Sequence, residues 1–252
     1  MRTIKAVLFD LDDTLWPVVP VIMRAETLLF EWLRVHAPRV VQQHSIESLR
    51  EKRRLLMESH PDYALNLEAL RRTGLMHAFE ETGEDLAKLD HAMDVFIRAR
   101  NAVILYDDVL PSLERLRTRV TLGSISNGTA DLHAIGLAHY FKVSYAARVF
   151  GKAKPHPEIF LATCEALRIA PHEAAYVGDD PLLDVAGAQN AGLHAVWINR
   201  SGVEPDQVLP DHVHPDAICT TLPELEQWLD EHRILTPDWK PPLEQFQPNG
   251  PD

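Results

Sequence analysis

Cysteine is nearly absent from this 252-residue chain, and its two examples, Cys164 and Cys219, stand 55 positions apart. That spacing suits neither a disulfide framework nor a metal cluster, and two unclustered thiols fit a reducing cytoplasm, where both are expected to be buried and inert. Basic residues are also scarce, with 25 Lys and Arg against 37 Asp and Glu, a net charge of −12. A chain so acidic lacks the positive surface with which nucleic-acid binders neutralise phosphates, and no nucleic-acid partner is expected. No apolar run approaches the roughly 18 residues that a membrane-spanning helix needs, so no membrane partner is expected. The N-terminal apolar run stops at Asp10 with no small-residue cleavage site behind it, too short for a signal peptide. The 13 histidines are scattered and form no HExxH motif. What is present, 46% hydrophobic and 25% charged residues, is enough to bury a full core.

Glycine is missing from the whole first quarter. None of the 11 occurs before Gly74, and eight lie between Gly123 and Gly202. The glycine-poor stretch reads as helical: Val21–His36, with Met23, Leu28, Leu29, Trp32 and Leu33 at helical spacing, then Ser45–Ser59, Asp62–Thr73, Leu75–Thr82 and Lys88–Ala102. Ser45 is a candidate N-cap, and Gly74 and Gly83 are expected to break the helices. From about Asp108 the pattern alternates, with strand-like runs at Val120–Ser126, Ala174–Gly178 and His194–Ile198 and helical runs at Pro111–Arg117, Pro157–Leu167 and Leu183–Ala191. With Ile4–Phe9 as first strand, this is the rhythm of βαβ units. The expected fold is an α/β core, a doubly wound, Rossmann-like parallel sheet formed by residues 1–16 and 105–235. An all-helical cap over 17–104 is inserted after the first strand, and a proline-rich tail over 236–252 follows the core.

Polar residues gather where the expected strands end. Strand Ile4–Phe9 runs into Asp10-Leu11-Asp12-Asp13-Thr14, and Val120–Ile125 into Ser126-Asn127-Gly128. Lys154-Pro155 follows, and Ala174–Val177 leads into Gly178-Asp179-Asp180 with Asp184 close behind. Ligands of an open parallel sheet bind beyond the carboxyl ends of its strands, so these four groups should converge on one crevice. Asp10, Asp12 and Asp179 are hard oxygen donors suited to Mg²⁺. Spaced two residues apart along an ideal strand, Asp10 and Asp12 could not both point at one atom, so a turn, or the main-chain carbonyl of Asp12, is needed for both to serve one ion. Ser126 and Asn127 offer hydrogen bonds to an oxyanion, and Lys154 adds a fixed positive charge. The set fits a phosphoryl group.

In type, order and spacing these segments resemble the four motifs of the haloacid dehalogenase superfamily, with the helical insertion in the place of that family's cap. The resemblance implies that Asp10 is the nucleophile and forms an aspartyl-phosphate, and that Asp12 is the general acid and then the base. It implies that Thr14 orients Asp12, that Ser126, Asn127 and Lys154 hold the phosphate, that Asp10, Asp12 and Asp179 hold Mg²⁺, and that Asp180 and Asp184 support them. Asp180 serves equally well as a helix N-cap. The family's dehalogenases lack a carboxylate two residues after the nucleophile, because no alcohol leaves; Asp12 therefore favours a phosphatase acting on a small phosphorylated metabolite. A phosphotransferase or phosphomutase, or a non-catalytic phospho-ligand-binding protein, is the alternative. The stretches 126–141, 178–188 and 196–198 are similar to a bacterial branch acting on flavin mononucleotide and a ribityl phosphate of the riboflavin pathway.

The remaining signals have plainer readings. The basic runs Arg50-Glu51-Lys52-Arg53-Arg54 and Arg71-Arg72 read as a solvated helix face. Phe30, Trp32, Tyr63, Phe79 and Phe96 read as helix-packing core, whereas Trp16, just behind Asp10–Thr14, is placed at the entrance of the crevice, and His156 receives no role. Residues 16–105 carry 12 Lys and Arg against 13 Asp and Glu, so the acidity belongs to the rest of the chain. Part of it is the carboxylate group of the motifs, which calls for a divalent cation before a phosphate can approach.

Overall fold

The computed structural model describes residues 3–231, and the proline-rich tail read at 236–252 lies outside them. Six strands, β1 (Ala6–Phe9), β2 (Thr121–Ser126), β3 (Val143–Ala146), β4 (Ala174–Gly178), β5 (His194–Ile198) and β6 (Ala217–Cys219), form one sheet in the order β3-β2-β1-β4-β5-β6. Every neighbouring pair is parallel. The chain winds outward from β1 to β3 and then crosses to β4 on the other side. β1 is therefore the point at which the winding reverses, and a crevice opens there beyond the strand ends.

Alternation along β1 feeds two apolar layers. Val7 and Phe9 pack with Val109, Leu113 and Leu116 and with Leu222, Leu225 and Leu229. Ala6 and Leu8 pack with Ile159, Phe160 and Cys164 on the opposite face. A strand covered on both faces reads as a continuous apolar run, which is why β1 and β4 were visible in the sequence. The edge strands β3 and β6 are partly exposed and carry no such run, so they leave no comparable signature in the sequence.

Five α-helices follow β1 before the chain returns to the sheet: α1 (Val18–His36), α2 (Pro38–Gln43), α3 (Ile46–Ser59), α4 (Leu67–Thr82) and α5 (Leu89–Asn101). They share their own apolar cluster, including Leu29, Leu33, Phe79, Met93 and Phe96. Ser45 caps α3, with Ser45 and Ser48 exchanging side-chain-to-backbone hydrogen bonds of 2.9 and 3.2 Å. Gly83 ends α4 with a left-handed φ of 66°. Gly74, expected to break a helix, instead lies inside α4, where an added Cβ would stand 3.1 Å from Arg53 Cγ; it permits the close approach of α3. In α1 the inward residues are Val21, Ala25, Leu29 and Leu33, while Met23 and Leu28 face solvent. The basic run is only partly solvated: Arg50, Arg53 and Arg71 all converge on the buried Glu26, and Arg71 lies over the Phe96 ring at 3.5 Å. The two crossings between sheet and helices touch, since Tyr106 N–H donates to Leu15 O at 3.1 Å. Helix α6 (Val109–Leu116) then covers the sheet. Among the described residues, no helix is long and apolar enough to cross a membrane.

Candidate active site

At the end of β1 the ladder continues by one step, with Asp10 N–H donating to Val177 O at 2.8 Å. The chain then reverses: Leu15 N–H reaches Leu11 O at 2.8 Å and Asp13 N–H reaches Trp16 O at 2.7 Å, with Asp13 at a positive φ of 56°. An aspartate accepts that left-handed conformation more readily than most residues. The turn gives Asp10 and Asp12 separate surroundings. Asp12 Oδ1 accepts from Trp16 Nε1 at 2.8 Å, and Arg100 Nη2 lies 2.7 Å from Oδ1 and 2.6 Å from Oδ2. Arg100 comes from the last turn of α5 and is 3% exposed. Gly128 makes the approach possible, because a Cβ there would fall 2.5 Å from Asp12 Oδ2.

Lys154 is the centre of the second half of the site. Its buried ammonium donates to Asp10 Oδ1 at 2.5 Å, Asp184 Oδ1 at 2.7 Å and the Tyr176 hydroxyl at 3.0 Å. All three N–H bonds are thereby used. Tyr176, from β4, donates its own hydroxyl hydrogen bond to Ile125 O at 3.0 Å. Asn127 clamps the lysine main chain, accepting Lys154 N–H at 2.9 Å and donating Nδ2 to Lys154 O at 3.0 Å. The Lys154-Pro155 peptide is cis. Asp184 belongs to a helix that opens, at Pro181, in a wide turn with Val185 N–H bonded to Asp180 O. Its other oxygen accepts Asp180 N–H at 3.0 Å. Gly178 leaves room for it, since a Cβ there would lie 2.3 Å from Asp184 Cγ.

Asp10, Asp179 and Asp184 each bring an oxygen to within 4.8 Å of the others, a group able to hold a metal ion. Burial, with like charge added to it, shifts two of these groups, Asp10 and Asp179. Burial raises Asp10 well above the ordinary carboxylate range, and Asp184 adds to this while Lys154 opposes it. Burial, with the charges of Asp184 and Asp13, raises Asp179 to about 7. Burial disfavours the Lys154 cation, but the charges of Asp10 and Asp184 outweigh it and hold the lysine above its usual range. Next to Asp179, a cavity of about 390 Å³ is bounded by Asp13, Tyr106, Trp197 and Arg200, a size that suits a small metabolite.

The motif residues thus meet at one crevice, with some exchange of parts. Thr14 is fully buried but its hydroxyl has no partner among the described residues, so the orienting of Asp12 falls to Trp16 and Arg100. Trp16 is itself fully buried rather than at the entrance. The Asn127 amide is spent on Lys154, whereas Ser126 Oγ accepts Gly128 N–H at 2.9 Å and keeps its proton to donate. The Asp12 carboxylate stands outside the metal group, and Asp184 takes its place there. Asp180 acts as an N-cap, accepting from Leu182 and Leu183 N–H at 2.8 Å each.

Three residues of the site were not found in the sequence. Tyr176 looks like strand core, and Arg100 like a helix-end cation complementing the dipole. Arg200 follows β5 and could have been found by the strand-end rule. It donates to Thr14 O at 3.0 Å and to Asp108 at 2.8 Å, stacked over Tyr106 at 4.4 Å.

The family model "haloacid dehalogenase-like hydrolase" matches residues 4–192, and the chain belongs to that family. It falls with the family's phosphatases. The 5-amino-6-(5-phospho-D-ribitylamino)uracil phosphatase YigB of Escherichia coli is 30% identical over 226 residues, covering 88% of this chain and 94% of its own. The glyceraldehyde 3-phosphate phosphatase of Methanopyrus kandleri is 32% identical over 251 residues, 93% of this chain and all of its own. Among solved structures, a 2-haloacid dehalogenase from Pseudomonas syringae pv. tomato is 38% identical with a TM-score of 0.84, covering 91% of this chain and 100% of its own.

Proposed function

We propose that the protein hydrolyses a small phosphomonoester through an aspartyl-phosphate on Asp10, with Mg²⁺ as cofactor. One observation carries the reading: Asp10 is fixed by a buried lysine while a second carboxylate, Asp12, stands two residues away in an environment of its own. Asp10 attacks phosphorus and a P–O bond to the aspartate forms as the bond to the alcohol breaks. Asp12 gives its proton to the departing alcohol, then takes one from the water that cleaves the acyl phosphate, returning phosphate and free Asp10. Ser126 donates to a phosphoryl oxygen, and Lys154 holds Asp10 and Asp184 in place while adding its positive charge. The donor set fits a hard cation: Asp10, Asp179 and Asp184 would hold it, with the Asp12 main-chain carbonyl completing the protein's share. When bound, Mg²⁺ supplies charge to neutralise the carboxylates and the phosphoryl group.

The kinship with YigB and with the glyceraldehyde 3-phosphate phosphatase supports a sugar or ribityl phosphate as substrate. The likeness to a structure named as a dehalogenase raises halide release as a second reading. Asp12 weighs against it, since a halide leaves without a proton. The test is a phosphate-release screen over a metabolite panel with Mg²⁺, Mn²⁺ and Co²⁺, with Asp10→Asn as control. Turnover of at least one ester is expected, lost in Asp10→Asn, with no halide from 2-haloacids; an inactive wild type across the panel sinks the proposal.

A further inference from the structure

The guanidinium of Arg100 is only half used. Nη2 is committed to both oxygens of Asp12, whereas Nη1 is buried and has no hydrogen-bond partner among the described residues. Leaving a buried donor unpaired is costly, and such an atom beside a reaction centre asks for a ligand. Its placement is firm. Arg24 of α1 holds the end of α5 through the Ala99 and Ala102 carbonyls. The neighbouring Asn101 accepts Asp131 N–H at 2.9 Å, fastening α5 to the loop that follows Ser126.

Geometry limits what can meet Nη1. For Asp12 to protonate a leaving alcohol, the ester oxygen must come within about 2.6–3.2 Å of an Asp12 oxygen. The same oxygens lie 2.6 and 2.7 Å from Arg100 Nη2, and Nη1 shares its carbon with Nη2 in a rigid fork. An alcohol oxygen seated on Asp12 would thus lie beside the fork, and a group on the carbon next to the ester carbon would be the one placed to meet Nη1. Charge narrows the choice. Asp10, Asp179 and Asp184 at the same crevice disfavour an anion beyond the phosphoryl group itself. What remains is an unpaired N–H, whose match is a neutral oxygen.

We infer that Arg100 reads the leaving alcohol, and that preferred substrates carry a hydroxyl on the carbon next to the ester carbon, as polyol and sugar phosphates do. The inference rests on the hydrolase reading above. It makes Arg100 a specificity-determining residue contributed by the helical insertion.

The test compares kcat/KM for glycerol 1-phosphate, for propyl phosphate, which has the same chain without hydroxyls, and for phosphoglycolate, which has a carboxylate instead. p-Nitrophenyl phosphate reports hydrolysis as such. The wild type is expected to favour glycerol 1-phosphate over both aliphatic analogues by tenfold or more, mostly through KM. Arg100→Lys keeps a cation for Asp12 but lacks the second fork nitrogen, and Arg100→Gln lacks the charge. In both, the ratio should fall towards one, and because it is internal to each variant, a general loss of activity does not obscure it. A wild-type ratio near one, a preference for phosphoglycolate, or an undiminished ratio in Arg100→Lys overturns the inference while leaving the hydrolase intact. Absence of any phosphate release, aryl phosphate included, overturns the hydrolase reading, and this inference with it.

Discussion

Lys154 faces two carboxylates in a site with almost no solvent, and its worth is greatest to the groups it would leave behind. Lys154→Met strands Asp10 and Asp184 without their cation, and breaking a buried ion pair in this way costs about 3–5 kcal/mol. Urea denaturation of the metal-free protein near pH 8 should show that loss. It should shrink as the pH is lowered, because Asp10, already raised by burial, can take up a proton in place of the ammonium. Single residues also mark the limit of what could be read in advance. Asp10, Asp12, Lys154 and Asp179 were legible because motif spacing identifies them. Arg100 and Tyr176 were not, since each looks ordinary on its own element and gains meaning only from a partner 88 or 22 positions away.

The elements explain why so much of the architecture was readable. β1, β2, β4 and β5 lie inside the sheet and must be apolar on both faces, so the sequence announces them; β3 and β6 close its edges and can be short and half-polar. The same logic misled at Gly74. Glycine reads as punctuation, but a helix can keep one where a neighbouring helix presses close, and nothing local in the sequence distinguishes these uses. Gly178 is a third case, at the end of β4, where the strand must pass tightly under Asp184. Gly178→Ala should push Asp184 off Lys154, destabilising by about 1–3 kcal/mol. Misplacing the lysine should lower kcat on the order of 100-fold. Thermal melts and steady-state kinetics on the same variant check both effects.

Across the whole molecule, the acidity first visible as a net charge of −12 acquires a location and a consequence. Asp179 stands near 7 when folded against an ordinary 3.8, so between those values the folded protein keeps a proton that the unfolded chain has released. The folded state binding more protons, stability of the metal-free protein falls as pH rises through that window. A divalent cation competes with that proton. Mg²⁺ should therefore bind more weakly below about pH 7, and raise the melting temperature more at pH 8 than at pH 6; a Mg²⁺-induced shift that is the same at both would contradict this. The contact between Tyr106 and Leu15 bears on the molecule's plan in another way. The chain leaves the sheet and returns to it at a single doorway, so the sheet sees the intervening helices as one loop with its ends already joined. Such a doorway lets the helical module be lengthened, shortened or exchanged without disturbing the strand order behind it. Under the hydrolase proposed above, Asp10 and Lys154 could then be inherited unchanged while the choice of alcohol is rewritten from outside.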